Sequence, residues 1–286
     1  MISTEIEFSA PDSLRGVLAV LDEHGYDVTV LSGGMSLLPM MNLGLATPER
    51  VVSLNRVEEL RSVREEGDQI VIGSRVRHFE VATDPSIGRH CPALAAAARK
   101  IGDVQVRNRG TIGGSVSHAD PSADYLPALV AHGARIVLES AGGARRELAT
   151  EDFFLDLMFT AKEPTELITE IRVPKLPAGG GAAYVRFARV EGSFAIVNAA
   201  AVLSGDGGAA WLALGGVGPR PVALDITGHG RSGWDDAAVQ AVGDAAFEVS
   251  GGATSDAMSD AEYKREMARV YARRVVRAAR EARQAF

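Results

Sequence analysis

A chain of 286 residues, 46% of them hydrophobic and 23% charged, is long enough for two cores and is not composed like a disordered polymer. Its formal net charge of −7 and pI near 5.5 argue against a general affinity for nucleic acid or for an anionic membrane surface. The single Cys91 excludes an intrachain disulfide and any four-thiolate zinc or iron–sulfur centre within this chain, and it fits a reducing compartment.

The first ten residues carry Glu5 and Glu7 but no Lys or Arg, so they lack the basic start of a secretory signal. The longest apolar run, 194–203, is interrupted by Asn198 and falls well short of the roughly 20 residues that a membrane helix needs. A cytoplasmic protein with no membrane-spanning segment is expected. Residues 2–8 alternate as a half-buried strand, and Pro11-Asp12-Ser13 then opens a helix with Leu14, Val17, Leu18 and Leu21 on its apolar face, ending at Gly25. A β-branched strand over 28–31 delivers the chain into Ser32-Gly33-Gly34-Met35-Ser36, with a brief helix over 36–41 beyond it. This is neither a Rossmann fingerprint, which needs Gly-x-Gly-x-x-Gly and a later acidic residue, nor a P-loop, which needs Gly-Lys-Ser or Gly-Lys-Thr.

Strands are expected over 51–54 and 69–73, a helical turn over 58–63, and helices over 77–82 and 92–101. Residues 104–109 alternate polar and apolar as an extended segment does, and they run into Arg109-Gly110-Thr111-Ile112-Gly113-Gly114-Ser115. This loop and its upstream echo each set a glycine pair beside a hydroxyl residue. Bare glycine backbone lets a ligand approach closely, and successive free N–H groups in such a turn bind phosphate oxygens without a lysine or arginine. Two loops of this kind suit the two halves of one pyrophosphate, although either alone is also a common way to make a plain turn.

Downstream, Asp120 is expected to cap a helix through about residue 133, with Pro121 at its first position. His118 and Asp120 lack a third ligand, so they read as a turn histidine beside a capping aspartate, and no metal site is assigned. Asp124 stands near the start of the helix, where a carboxylate meets a ribose hydroxyl or base amine of a ligand. A hairpin over 135–139 and 145–148, built around Gly142-Gly143, and a strand over 167–173 lead to the linker 174–181, where the domain boundary falls. Three strands at hairpin spacing follow, over 183–190, 194–203 and 209–217, then helices over 235–249 and 260–285. The last helix carries Met267, Tyr271, Val275, Ala278 and Ala282 along one face, and its many arginines read as a solvated or subunit-facing side rather than a nucleic-acid surface. No Ser/His/Asp or Cys/His constellation stands out, so no catalytic residue is assigned.

The two loops and their surroundings resemble the flavoprotein medium subunit of the molybdenum hydroxylases, the group of xanthine dehydrogenase and aerobic carbon monoxide dehydrogenase. The resemblance rests on Ser32-Gly33-Gly34-Met35-Ser36-Leu37-Leu38-Pro39-Met40-Met41, Leu45-Ala46-Thr47-Pro48-Glu49, Thr111-Ile112-Gly113-Gly114-Ser115 with Ala119-Asp120-Pro121 and Asp124, and Asp260-Ala261-Glu262-Tyr263-Lys264-Arg265. It implies an α+β fold: a two-lobed FAD-binding domain of the vanillyl-alcohol-oxidase type over 1–176, with lobes of about 1–54 and 55–176. A small α/β domain with a three-stranded antiparallel sheet and helices would follow over 177–286. By the same resemblance, Ser32, Gly33, Gly34, Met35, Ser36, Thr111, Ile112, Gly113, Gly114 and Ser115 hold the FAD diphosphate and adjoining ribityl chain. Asp124 would lie near the cofactor, and Phe194 would match an aromatic position against the isoalloxazine.

The family implies a doubled heterotrimer, a heterohexamer, with a large subunit carrying the molybdenum cofactor and a small subunit carrying two [2Fe-2S] clusters. The FAD of this subunit would collect electrons for an external acceptor. Two departures bear on the flavin's potential: Ser193 stands where many relatives have an acidic residue, and Asn42 where a lysine is common. The alternatives are a self-sufficient flavin oxidase, against which neither glycine loop holds a histidine or cysteine to tether FAD, and a flavin-free scaffold subunit.

Overall fold

The computed structural model describes residues 5–205, 208–231 and 233–284. Its first sheet is parallel, in the order β1 (Glu7–Ser9), β3 (Arg50–Ser53), β2 (Val28–Leu31). Parallel neighbours need crossovers, supplied by α1 (Leu14–His24) and α2 (Leu37–Asn42). Ser13 caps α1 by accepting from the Gly16 N–H, and Val17, Leu18 and Leu21 are buried against Val28, Val52 and Leu54.

The second sheet is built from β4 (Val63–Glu66), β5 (Gln69–Gly73), β6 (Arg135–Glu139), β7 (Arg145–Ala149) and, after the small hairpin β8 (Phe154–Asp156) and β9 (Phe159–Thr160), β10 (Leu167–Pro174). Its antiparallel order is β4-β5-β10-β6-β7. Between β5 and β6 run α3 (His78–Thr83), α4 (Pro85–His90), α5 (Pro92–Lys100), α6 (Val104–Arg109), α7 (Ile112–His118) and α8 (Tyr125–Ala131), and α9 (Thr150–Phe153) follows β7. Ile70, Ile72, Ile136 and Ile171 of the sheet share one core with Val81, Leu94, Leu126 and Leu129 of the helices. Each such side chain contributes about 1.5–3 kcal/mol by leaving water.

The third sheet runs in sequential antiparallel order through β11 (Gly181–Phe187), β12 (Val197–Leu203), β13 (Ala210–Gly215) and β14 (Val222–Asp225). Every residue of β12 is buried. Ala200 and Val202, with Tyr184 and Ala213, join the helical core on α5 and α8. Ala199, Ala201 and Leu203 face the opposite core, formed with α10 (Asp236–Val249) and α11 (Ala261–Gln284). The sheet is therefore covered on both faces, which is why its central strand reads as an apolar run broken only by Asn198 and not as an alternation.

Several expectations need correction. Residues 104–109 form helix α6, because Asp103 accepts from the Val106 N–H as an N-cap; alternation over so short a segment misled. The helix expected from Asp120 begins at Tyr125. Asp120 instead accepts from the N–H groups of Ser122 and Ala123 in a turn, and the Pro121 carbonyl accepts from Gly216 at the end of β13. The C-terminal sheet has a fourth strand, β14, beyond the three expected. Phe194 precedes β12 rather than opening it. On α11 the fully buried stripe is Ala268, Ala272, Val275, Val276 and Ala279, with Ala278 and Ala282 only half-buried beside it. Residues 2–4 of the expected first strand and Ala285 of the last helix lie outside the described residues.

Candidate functional site

The two glycine loops meet. Gly33 packs so closely on the downstream loop that a Cβ there would sit 2.4 Å from the Arg109 carbonyl and 2.6 Å from the Gly110 Cα. Beside it the Ser32 Oγ lies 2.9 Å from the Thr111 Oγ1, a hydroxyl clasp between the first sheet and the helical layer. Gly34, at φ +76°, turns the chain into α2 through a region that other residues rarely adopt.

The loops are not equivalent. The N–H groups of Gly33, Gly34, Met35 and Ser36 find no hydrogen-bond acceptor among the described residues. In the downstream loop those groups are spent: Ile112 donates to the Val76 carbonyl at 3.0 Å, Gly113 to Ser74 at 2.9 Å, and Gly114 to the Thr111 Oγ1 at 3.2 Å. Only the upstream loop therefore presents the row of open donors expected of both. The downstream loop contributes hydroxyls and a flat glycine surface.

Both loops border one cavity of about 670 Å³. Ser32, Gly33, Gly34, Met35 and Ser36 line it, as do Thr111, Gly113, Gly114 and Ser115, and also Asp124 and Phe194. Ile112 does not: its side chain is fully buried in the helical core. The Phe194 ring is half exposed at this cavity, next to Ser193, whose hydroxyl donates to the Val190 carbonyl at 2.8 Å and so closes its own loop. Asn42 ends α2 and is not among the lining residues.

Asp124 sits at the first turn of α8 but makes no capping bond. Its carboxylate is buried and accepts from the Tyr184 hydroxyl and from the Arg186 guanidinium, at 3.1 and 3.2 Å to its two oxygens. Burial raises the Asp124 carboxyl above its ordinary range, against the opposing pull of Tyr184 and Arg186. Both partners come from β11, in the C-terminal sheet, and neither was singled out in the sequence.

His78 and Lys162 also line the cavity, without a sequence signal. His78 is buried, with Nδ1 3.1 Å from the Tyr125 hydroxyl, and desolvation, aided by the nearby Arg107 charge, lowers its pKa to about 3, so it is neutral. Lys162 donates to the carbonyls of Glu163 and Glu166, and burial lowers its pKa. His118 and Asp120 also line the cavity, but the described residues hold no group of three His, Cys, Asp or Glu placed to bind a metal ion.

A row of open backbone donors, flanking hydroxyls and a cavity in the size range of cofactor sites, about 300–1,000 Å³, suit the phosphates and sugar of a dinucleotide. The family comparisons agree with this chemistry. Residues 4–176 match the family model described as FAD binding domain in molybdopterin dehydrogenase, and 182–279 match that of the CO dehydrogenase flavoprotein C-terminal domain. The medium chain of carbon monoxide dehydrogenase from Hydrogenophaga pseudoflava is 39% identical, over 98% of each chain. The glyceraldehyde dehydrogenase medium chain of Sulfolobus acidocaldarius is 34% identical, over 94% of this chain and 96% of its own. Among solved structures, carbon monoxide dehydrogenase from H. pseudoflava, in a form lacking the Mo-pyranopterin moiety of its molybdenum cofactor, superposes with a TM-score of 0.91 at 39% identity, over 99% of each chain. No helix among the described residues is long and apolar enough to cross a membrane. The chain is thus an oxidoreductase subunit and belongs to the FAD-binding flavoproteins of the molybdenum hydroxylases, the family of xanthine dehydrogenase and carbon monoxide dehydrogenase.

Proposed function

We propose that this chain is the electron-transfer subunit of a cytoplasmic molybdenum hydroxylase complex. It would take electrons from the [2Fe-2S] clusters of a small subunit, fed in turn by a large molybdenum-containing subunit, and pass them to an external acceptor. The observation that carries the reading is the open row of N–H groups from Gly33 to Ser36 on a cavity shared with Thr111, Gly113, Gly114 and Ser115. When bound, FAD supplies the redox chemistry, exchanging one or two electrons. The chain's own residues would hold and shield it: the upstream amides would take diphosphate oxygens, the hydroxyls of Ser32, Thr111 and Ser115 the adjoining ribityl chain, and Phe194 would lie against the ring system.

The substrate site belongs to the large subunit in this reading, in keeping with relatives named for substrates as unlike as carbon monoxide and glyceraldehyde. The assembly is a doubled heterotrimer. Residues 1–176 form the flavin domain, in lobes of about 1–54 and 55–176, and 177–286 the C-terminal domain. The test is to purify the complex from its host and record its absorption before and after denaturation. Released FAD together with iron–sulfur absorption and two further polypeptides is expected. A colourless, partnerless chain that takes up no added FAD would overturn the reading. Gly114→Val sets a branched side chain against the Thr111 Oγ1, 2.9 Å from its Cβ, and is expected to abolish FAD retention.

A further inference from the structure

Beyond the glycine loops, the cavity is lined by parts of the chain that are far apart in sequence. Asp124 belongs to the helical layer, yet both groups that fix its carboxylate project from β11 of the C-terminal sheet. Tyr184 is buried, with its hydroxyl donating to Asp124. Asn198, wholly buried on the neighbouring strand β12, ties the same region to the helical layer by donating to the Ala123 carbonyl at 3.3 Å.

Arg186 does more. Its side chain is 6% exposed, and one nitrogen donates both to Asp124 and to the Lys100 carbonyl at the end of α5, at 2.8 Å. The other nitrogen donates to the Ser193 carbonyl at 2.6 Å, in the loop that carries Phe194. One buried guanidinium thus joins α5, the start of α8 and the Phe194 loop. Neither Tyr184 nor Arg186 lines the cavity, whereas Asp124, Ser193 and Phe194 all do.

We infer that Tyr184 and Arg186 are positioning residues of the cofactor site: they hold the Asp124 carboxylate and the Ser193-Phe194 backbone at the cavity wall, so that FAD retention depends on the seating of the C-terminal sheet against α5 and α8. The inference rests on the reading of the cavity as the flavin site. It makes the C-terminal sheet part of that site through side chains that act through Asp124 and the loop. A buried carboxylate whose donors are removed either moves or takes up a proton, and in both cases its surface toward the ligand changes. Lysine in place of Arg186 keeps the charge but has a single nitrogen, so it can satisfy Asp124 or Ser193 with correct geometry but not the whole fork.

The test uses the full chain, stripped of flavin and titrated with FAD by fluorescence quenching, with thermal melting of each flavin-free variant alongside. Arg186→Gln is expected to weaken FAD binding about tenfold or more and Tyr184→Phe about fivefold, with Arg186→Lys recovering part of the loss. Because Arg186 acts in part through Asp124, the double variant Asp124→Asn/Arg186→Gln should lose clearly less FAD affinity than the product of the two single losses. Should Arg186→Gln not fold, Tyr184→Phe and Arg186→Lys carry the test. Asp256→Asn, which breaks the ion pair with the buried Lys264 in the same sheet-and-helix unit away from the cavity, should destabilise the chain yet leave FAD affinity within about twofold. Affinities at the wild-type level in both β11 variants, with Gly114→Val unable to bind, would overturn the inference while leaving the flavin site standing. Losses that multiply in the double variant would also overturn it. A wild-type chain that takes up no FAD would remove the reading on which it rests.

Discussion

The cavity has two walls made on different principles. On one side the upstream glycine loop offers backbone N–H groups and the downstream loop supports it through Gly33 packing and the Ser32–Thr111 clasp. Elsewhere the cavity is lined by side chains, Asp124 and Phe194, with the Asp124 carboxylate held in place by Tyr184 and Arg186, which do not themselves line it. A backbone wall tolerates almost no change of residue at its contact points but is indifferent to charge. A side-chain wall tolerates small changes of shape but depends on every partner's protonation and reach.

The largest expected effect lies on the backbone wall. Gly33→Val would drive a branched side chain into the Arg109 carbonyl and Gly110, forcing the loops apart. It should cost about 1–3 kcal/mol of stability by overpacking and abolish FAD retention, read by calorimetry and by flavin released per chain. A folded Gly33→Val chain with a full complement of FAD would break the distinction between the walls.

The buried histidines of the helical layer should respond next, to acid. His78 and His132 are buried neutral, with pKa values lowered by desolvation to about 3 and about 4. Their ordinary value is near 6.5, so as pH falls below that the unfolded chain binds protons that the folded one refuses, and stability drops. Between pH 7.5 and 5 each should cost about 2 kcal/mol, seen as a falling melting temperature. Asp124 acts with the opposite sign, since its raised carboxyl takes up a proton more readily in the folded state. His132→Gln, away from the cavity, should flatten the acid limb without changing FAD affinity at pH 7.5.

Smaller effects sharpen the comparison. Asp103→Ala removes the N-cap of α6, the helix that leads into the downstream loop, and should cost about 1 kcal/mol. Because that loop supports the donor row but does not supply it, FAD affinity should fall only a few-fold. Glu7→Gln breaks an exposed pair with Arg50 on the first sheet and should leave both the melting temperature and FAD binding unchanged.

The backbone wall was legible in the sequence because its parts are local: Ser32 to Ser36 and Thr111 to Ser115 each declare a turn, a glycine and a hydroxyl within five residues. What the motifs did not tell apart was donor from support. That depends on Val76 and Ser74, whose carbonyls take the Ile112 and Gly113 amides and so spend the downstream donors. Ile112 carries the same spacing as its neighbours, but its side chain serves the helical core. The side-chain wall was legible only at Asp124 and Phe194, through their place beside the loops. Tyr184 and Arg186 meet Asp124 across about 60 positions of chain, and no periodicity marks a strand residue that will find a carboxylate on another layer. The same holds for α6, where the capping power of Asp103 outweighed an alternating pattern, and for the turn at Asp120, which tertiary contact with Gly216 holds out of the helix.

The most direct measurement is amide hydrogen exchange of the full chain with and without FAD. The amides of Ile112, Gly113 and Gly114 already have acceptors and should be protected in both states, whereas those of Gly33 to Ser36 should exchange freely without FAD and become protected when it binds. FAD binding that leaves the amides of Gly33 to Ser36 exchanging as before would contradict the account.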